Sequence, residues 1–255
     1  MKLSTIILAY QASALLKQAI DSVSFSDETI ILWDTNSINP PPKPSTKTKL
    51  LKHPLTSFAN QRNFALKKAR GDWILFLDSD EELTPKLVGQ IQQVIQQDDK
   101  INGYLIPRHD IFYKQKIGHG EAGDIKLLRL ARRNTGRFTR SVHEIWKIKG
   151  QIGSLTAPIL HHRQNLTTPF IDRMIKYSPL DAKELKKEHK PFTYWRVLLY
   201  PLAKFIRNYL LKLGLLDGLL GFLHAYLMSV QSLTVRVYQW ENLNQDGSTK
   251  SRTKN

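Results

Sequence analysis

Cysteine is absent from the 255 residues, which excludes disulfides and thiolate chemistry and fits a reducing compartment. Acidic residues are scarce: 22 Asp+Glu face 38 Lys+Arg, a net charge of +16. That deficit favours polyanionic partners, namely nucleic acid, anionic lipid or phosphorylated substrates. A recognised nucleic-acid motif is lacking and the positive charge is spread along the chain, so no nucleic-acid partner is expected. A glycine-rich phosphate loop is missing after the first apolar stretch, where Tyr10-Gln11-Ala12-Ser13 stands, which argues against a sugar nucleotidyltransferase. No internal repeat is visible. The apolar stretch Leu3–Tyr10 is short for a secretory signal and carries Ser4 and Thr5, so it reads as a first buried strand.

What is present reads as a globular α/β chain, with an ordinary hydrophobic content of 41%. Its length suits one α/β domain plus an appendage. The centre of the pattern is Gly71-Asp72-Trp73-Ile74-Leu75-Phe76-Leu77-Asp78-Ser79-Asp80-Glu81-Glu82. Trp73 to Leu77 is an unbroken apolar run, bounded by a glycine and by charges, and predicts a strand buried on both faces of a parallel sheet. Such sheets bind ligands beyond the carboxyl ends of their strands. Residues i and i+2 of an extended segment point the same way, so Asp78 and Asp80 can converge on one ion. Carboxylates suit Mg²⁺ or Mn²⁺ carrying a diphosphate. The competing reading is a solvated turn that caps a helix over Thr84–Gln97, with Thr84 as N-cap and Pro85 at its first position.

Around this centre, strands are predicted at Thr5–Ala9 and Thr29–Trp33, with a helix at Ala14–Val23 between them. Strand–helix alternation of this kind implies a mostly parallel sheet. Asn39–Pro44 is proline-rich and reads as an extended loop. Phe58–Ala69 reads as a helix with Phe58, Ala65, Leu66 and Ala69 inward. Gly103–Pro107, Lys126–Leu130 and Ser141–Ile148 read as strands and Asp110–Gly123 as a loop. Ala157–Leu160 leads into His161-His162, and from Thr168 the pattern is helical.

Several motifs recur in an order and spacing that resemble family 2 glycosyltransferases of the GT-A fold, and among these the bacterial lipopolysaccharide-core enzymes. They are Leu3–Ile7, Asp21-Ser22-Val23, Asp34, Gln61–Leu66, Gly71–Glu81, Lys126–Leu130 and Val142-His143-Glu144. The resemblance covers about the first 180 residues. It implies a catalytic domain over 1–180; beyond it, composition and periodicity read as a helical membrane-associating region over 181–244 and a polar, disordered tail over 245–255. The resemblance also implies a metal-dependent, inverting transferase that uses a UDP-sugar or similar nucleotide-sugar. The acceptor would be a lipopolysaccharide-core or other lipid-linked glycan, reached from the cytoplasmic face of the bacterial inner membrane. By the resemblance, Ala9, Asp34, Arg62, Asn63, Asp78, Ser79 and Arg129 bind the donor, while Asp80, Asp78 and His161 hold Mg²⁺ or Mn²⁺. Three departures point to a divergent donor: Gln11-Ala12 where many relatives have Asn-Glu, the reduced pattern Asp34-Thr35-Asn36-Ser37, and the proline loop in place of a helix.

Inverting transfer needs a general base. Glu144 is one candidate and Asp124 the other; Glu144 also reads as a surface carboxylate balancing Arg137 and Arg140. His143 can orient the carboxylate or simply be a core histidine, and the His161-His162 pair is metal-binding or structural. Arg129, Arg132 and Arg133 can clamp anionic acceptor groups or form a solvated basic face. A phosphatase of the haloacid-dehalogenase type also ends a strand in Asp-x-Asp, but has Thr or Val where this chain has Glu82. A non-catalytic basic protein binding nucleic acid or membrane is the remaining alternative.

Phe192–Trp240 is apolar and helical. Arg196, Lys204 and Arg207 cluster within about a quarter turn beside an apolar face, as in a helix lying in a membrane interface. Leu213–Val230 contains Asp217 and His224, so a buried helix or a hairpin in the interface is favoured over a span. A helical cap on the catalytic domain or a dimer contact is the alternative.

Overall fold

The computed structural model describes residues 2–42, 48–97, 100–123, 125–139, 144–163 and 165–252, with side chains to residue 245. The chain divides into two compact units, Met1–Asp110 with Ile125–His162, and Ile111–Asp124 with Arg163–Asn255. The division falls before position 180, and it assigns residues 111–124 to the helical unit. Proximity in sequence places that segment with the catalytic half, because its partners lie about a hundred residues downstream.

The first unit is an α/β sheet in the order β3-β2-β1-β4-β8-β6-β12-β5. Strands β1 (Leu3–Ala9), β2 (Glu28–Asp34), β3 (Thr48–His53) and β4 (Trp73–Asp78) are mutually parallel. Next come β5 (Glu81–Leu83) and β6 (Ile101–Phe112), and then β7 (Gln115–Ile117) and β8 (Lys126–Arg132), of which β8 runs antiparallel to β4. A separate hairpin joins β9 (Gly136–Thr139) to β10 (Ile145–Ile148), followed by β11 (Gln151–Ser154) and β12 (Ile159–Arg163). The central strand is therefore parallel on one side only.

Period-2 alternation explains the two layers of core. Ile7, Ile31, Trp33, Leu75 and Leu77 face α1 (Ala14–Ser22) and α3 (Pro85–Val94). Ile6, Ile30, Leu32, Ile74 and Phe76 face α2 (Phe58–Lys68) and the β9–β10 hairpin. Helix α3 begins as its sequence predicts: Thr84 Oγ1 accepts from Leu87 N at 3.3 Å, and Pro85 occupies the first turn. Helix α2 buries Ala59, Gln61, Arg62 and Ala65, whereas Phe58 is 48% exposed and not inward. The strand at 48–53 lies beyond the proline loop, part of which (43–47) is outside the described residues. Strand β6 passes through Pro107 to Phe112, so Asp110 sits on a strand and not in a loop. Residues 141–143 of the expected strand Ser141–Ile148 are outside the described residues.

The second unit contains α4 (Gly120–Gly123), α5 (Thr167–Lys187), α6 (Tyr194–Ile206) and α7 (Gly218–Arg252). Pro201 lies within α6, and its carbonyl accepts from Ser229 Oγ of α7 at 2.8 Å. A π turn (Arg207–Leu211), Leu213 at φ 57° and a 3-10 turn (Gly214–Asp217) reverse the chain into α7. Helix α7 continues to Arg252, where polar composition predicts a disordered tail from Gln245. Extending an existing helix costs far less than nucleating one. The segment Gly214–Gln245 is long and apolar enough to cross a membrane by length and composition. Asp217 is buried at its side chain: its carboxylate accepts from Gly118 N (3.1 Å) and His119 N (2.9 Å) and meets His119 Nδ1 (2.8 Å).

At the amino ends of the strands, Ser4 Oγ donates to Glu28 Oε2 at 2.6 Å and accepts from Gly71 N at 2.8 Å. Glu28 also accepts from Arg70 N and Arg70 Nε. A Cβ on Gly71 would lie 2.5 Å from Ser4 N, against backbone that cannot yield. Gly71→Ala is expected to destabilise the chain by about 1–3 kcal/mol. Gly89→Ala, at an exposed α3 position with nothing within 4 Å, is expected to stabilise it by about 0.5–1 kcal/mol. Urea unfolding of the two variants measures both.

Candidate active site

The site forms at the carboxyl end of β4. Asp78 follows Ile74 and Phe76 in the period-2 pattern and so faces α2, where Arg62 reaches it. Arg62 Nη2 donates to Asp78 Oδ1 at 2.8 Å, and Arg129 Nη2, from β8, donates to Oδ2 at 2.7 Å. Arg129 Nη2 also donates to Glu81 Oε1 at 2.8 Å, and Glu81 Oε2 accepts from Asp78 N at 3.0 Å. Burial would raise the Asp78 pKa, but Arg129 and Arg62 outweigh it and hold the carboxyl well below the usual range. Glu81 is fully buried, and burial pushes its carboxyl up despite Arg129. Burial would lower the Arg129 guanidinium; Asp78 and Glu81 overcome that and raise it.

Asp78 and Asp80 do not converge. The strand ends at Asp78, and a turn through Ser79 and Asp80 leads into β5, so the period-2 argument stops at the turn. Pairing of β5 with β12 sets His161 opposite Glu81. Asp80 Oδ2 is 3.2 Å from His161 Nε2, and His161 Nδ1 is 2.8 Å from Asp110 Oδ1. Burial would lower the His161 pKa; the bonds to Asp110 and Asp80 outweigh it and raise it. Arg108 lies 3.6 Å from Asp110 and 3.7 Å from Glu81.

The metal set expected from sequence is therefore divided. Both oxygens of Asp78 are bonded to guanidinium groups. Asp80 and His161 remain together. Their donors fit a hard divalent ion: one carboxylate oxygen, and one imidazole nitrogen whose ring is held by a carboxylate behind it. No cluster of three or more such side chains occurs among the described residues, so a substrate diphosphate would have to complete the coordination.

Of the remaining expected residues, Arg62 Nε lies 3.3 Å from Glu144 Oε1, which brings Glu144 next to the clamp. Asp124 and His143 lie outside the described residues. Asp34 Oδ1 accepts from Asn36 N and Leu55 N, both at 2.9 Å, which leaves Oδ2 unbonded among the described residues. Ala9 ends β1 opposite Trp33 and is buried beside that carboxylate's strand. The Asn63 amide makes two bonds to the Phe138 backbone, at 2.9 and 2.8 Å, which tie α2 to β9. Arg132 donates to Ile101 O and stacks on Trp73, so it belongs to the sheet and not to a basic face. Sequence reasoning missed Glu81 and Asp110. Glu81 resembles one more surface acid in an acidic turn, and Asp110 follows a proline that suggests the strand has ended.

A family model described as glycosyl transferase family 2 matches residues 4–156. The lipopolysaccharide core biosynthesis glycosyltransferase LpsC of Rhizobium meliloti is 27% identical over 200 residues, covering 75% of this chain and 73% of LpsC. An uncharacterised glycosyltransferase of Rickettsia typhi is 22% identical over 242 residues, 89% of this chain and 83% of its own. Among solved structures, a mannosyltransferase of Pyrobaculum calidifontis, in complex with GDP-Man and Mn²⁺, superimposes with a TM-score of 0.50 at 11% identity. That superposition covers 94% of this chain and 87% of that one, and is a likeness of GT-A fold.

Removing Arg129 would leave the buried Glu81 carboxylate beside the half-buried, Arg62-bonded Asp78 carboxylate without the guanidinium they share. Arg129→Met is expected to cost about 3–5 kcal/mol, far more than a surface charge deletion. Chemical unfolding of the variant beside Arg133→Met, a surface-type control, checks it.

Proposed function

The chain belongs to glycosyl transferase family 2 and is a glycosyltransferase; from that premise we propose a divalent-cation-dependent, inverting enzyme whose donor is a nucleotide-sugar, of the UDP type. The acceptor is a lipopolysaccharide-core or other cell-envelope, lipid-linked glycan, met at the cytoplasmic face of the bacterial inner membrane. The observation that carries the reading is the separation of two devices after β4: the Arg62–Asp78–Arg129 clamp and the Asp80–His161–Asp110 chain.

Asp80 and His161 Nε2 would hold the ion. A bound divalent cation would supply charge neutralisation at the diphosphate that leaves with the nucleotide. Asp110 fixes the His161 ring through Nδ1, so Nε2 is aimed before any ligand arrives. Arg62 and Arg129 lock the Asp78 carboxylate in its ionised form, where it is an acceptor for a ribose hydroxyl. The Oδ2 atom of Asp34 is a second acceptor for the nucleoside. Glu144 takes the proton of the acceptor hydroxyl, and Arg62 beside it keeps the carboxylate oriented. The solved mannosyltransferase carries a nucleotide-sugar, GDP-Man, with Mn²⁺, which supports the nucleotide-sugar class and the ion though not the UDP type, and LpsC is a core-biosynthesis enzyme, which supports the acceptor class.

The membrane placement is supported by exposed apolar side chains on α6, among them Leu198 at 75% and Leu202 at 55%. The basic stripe anticipated there is weaker than its sequence suggests, because Lys204 (2.7 Å) and Arg207 (3.5 Å) pair with Glu121. Apolar insertion therefore contributes more than charge.

Asp80→Asn is expected to abolish cation-dependent turnover of a nucleotide-sugar while circular dichroism stays native. Glu144→Gln should keep nucleotide binding and lose transfer by a factor of about 10² or more. Near-normal transfer by either variant would remove that residue from its role. Separately, full-length protein should float with vesicles containing anionic lipid, and Leu198→Glu/Leu202→Glu should not. Equal flotation of both would overturn the interfacial reading.

A further inference from the structure

In the helical unit, two guanidinium groups share one aromatic ring without a counter-charge. Arg236 of α7 lies 4.7 Å from the Tyr200 ring centroid, and Arg196 of α6 lies 5.7 Å from it. Arg196 also sits 5.3 Å from the exposed Trp195 ring. Neither has a carboxylate partner among the described residues. Arg196 Nη1 donates to Pro191 O (2.9 Å), and Arg236 Nη1 to Gln239 Oε1 (2.9 Å). Gln239 in turn donates from Nε2 to Lys190 O (3.0 Å), which ties α7 to the turn before α6. The Nε atoms of both arginines, and the Thr193 hydroxyl that opens α6, are buried without a hydrogen-bond partner.

This arrangement is costly as it stands. Like charges brought together and partly desolvated repel each other, and unmet donors lose their hydration. Burial lowers the Arg236 pKa; Tyr200 offsets this and Arg196 adds to it. Acids are close by on α5, but they are neutralised by their own neighbours: Glu184 by Lys187 at 2.6 Å and Glu188 by Lys190 at 2.8 Å. Tyr200 and Arg236 also border a cavity of about 640 Å³, but its wall carries Glu121, Asp181, Glu184 and Glu188 and excludes Arg196, so an anion is held at the part-exposed guanidinium pair and not in that cavity. Planar guanidinium forks with free donors are matched to the oxygens of phosphate. Tyr194, Trp195, Leu198 and Leu199 are exposed around Arg196, so the site opens on an amphipathic surface of the kind that rests at lipid headgroups.

We propose that Arg196 and Arg236, stacked on Tyr200, form a binding site for a phosphate ester, the group that a membrane lipid headgroup carries. The site uses no residue of the transferase centre, and its lipid source rests on the interfacial reading of α6 proposed above.

The test uses the full chain with two probes, sn-glycerol 3-phosphate in solution and vesicles containing phosphatidic acid. Binding is read by titration and by the rise in Tm. Arg196→Gln/Arg236→Gln is expected to weaken binding about tenfold or more. Lys183→Gln/Lys186→Gln removes the same charge from an exposed face of α5 and is expected to leave binding unchanged. If the Gln pair fails to fold, Arg196→Lys/Arg236→Lys carries the test: it keeps both charges but loses the forks, so weaker binding supports the site and unchanged binding overturns it. Arginine-dependent binding to vesicles tighter than to the soluble ester identifies a lipid as the source. Arginine-dependent binding of the soluble ester alone supports the site with a soluble phosphate as its ligand. Absence of binding to both probes, or an equal loss in the lysine control, overturns the proposal.

Discussion

The buried guanidinium of Arg129 is the constraint on which the site depends. A single nitrogen of it serves two carboxylates from consecutive elements, Asp78 at the end of β4 and Glu81 at the start of β5. Without that cation, two acids three residues apart could not both enter the same low-dielectric space. With it, the turn between them is forced outward and Asp80 is exposed on the far side, its side chain 41% accessible. The pairing of β5 with β12 then follows, and it delivers His161 to Asp80. One interior charge thus sets the geometry of residues it does not touch.

Much of the first unit was legible in the sequence because its signals are local. The apolar run of β4, the N-cap and proline of α3, and the helix–strand alternation of the opening are each contained in a window of ten or fewer residues. What escaped depends on partners far along the chain. Nothing local to Asn63 points to Phe138, 75 positions later, which binds both ends of its amide. Glu81 reads as solvent-facing until Arg129 arrives. Strand β3 carries Lys49 and Lys52, the charges that an edge strand uses against aggregation, and these hide its strand pattern. The convergence of Asp78 and Asp80 expected from period-2 alternation does not occur, because the strand ends at Asp78 and a turn follows.

The same division between local and distant information holds in the helical unit. Helical periodicity identifies α5, α6 and the apolar α7, and the glycines mark where the chain reverses. Periodicity also groups Arg196, Lys204 and Arg207 on one side of α6. Their roles nonetheless differ, because Glu121, from a segment some eighty residues earlier, pairs with the last two and leaves Arg196 to a different neighbour.

The helical unit is assembled from two pieces, residues 111–124 and 163–255, joined by bonds such as Gly118 and His119 to Asp217. This bears on synthesis. The sheet unit has all its residues once position 162 has left the ribosome, but the inserted segment has no Asp217 to bind for about 55 residues more. At ~5–20 residues per second that interval is roughly 3–11 s. During it a nascent chain carries a completed sheet with an unanchored loop, and the order in which the protein acquires its parts is written into the spacing of two hydrogen-bonding residues.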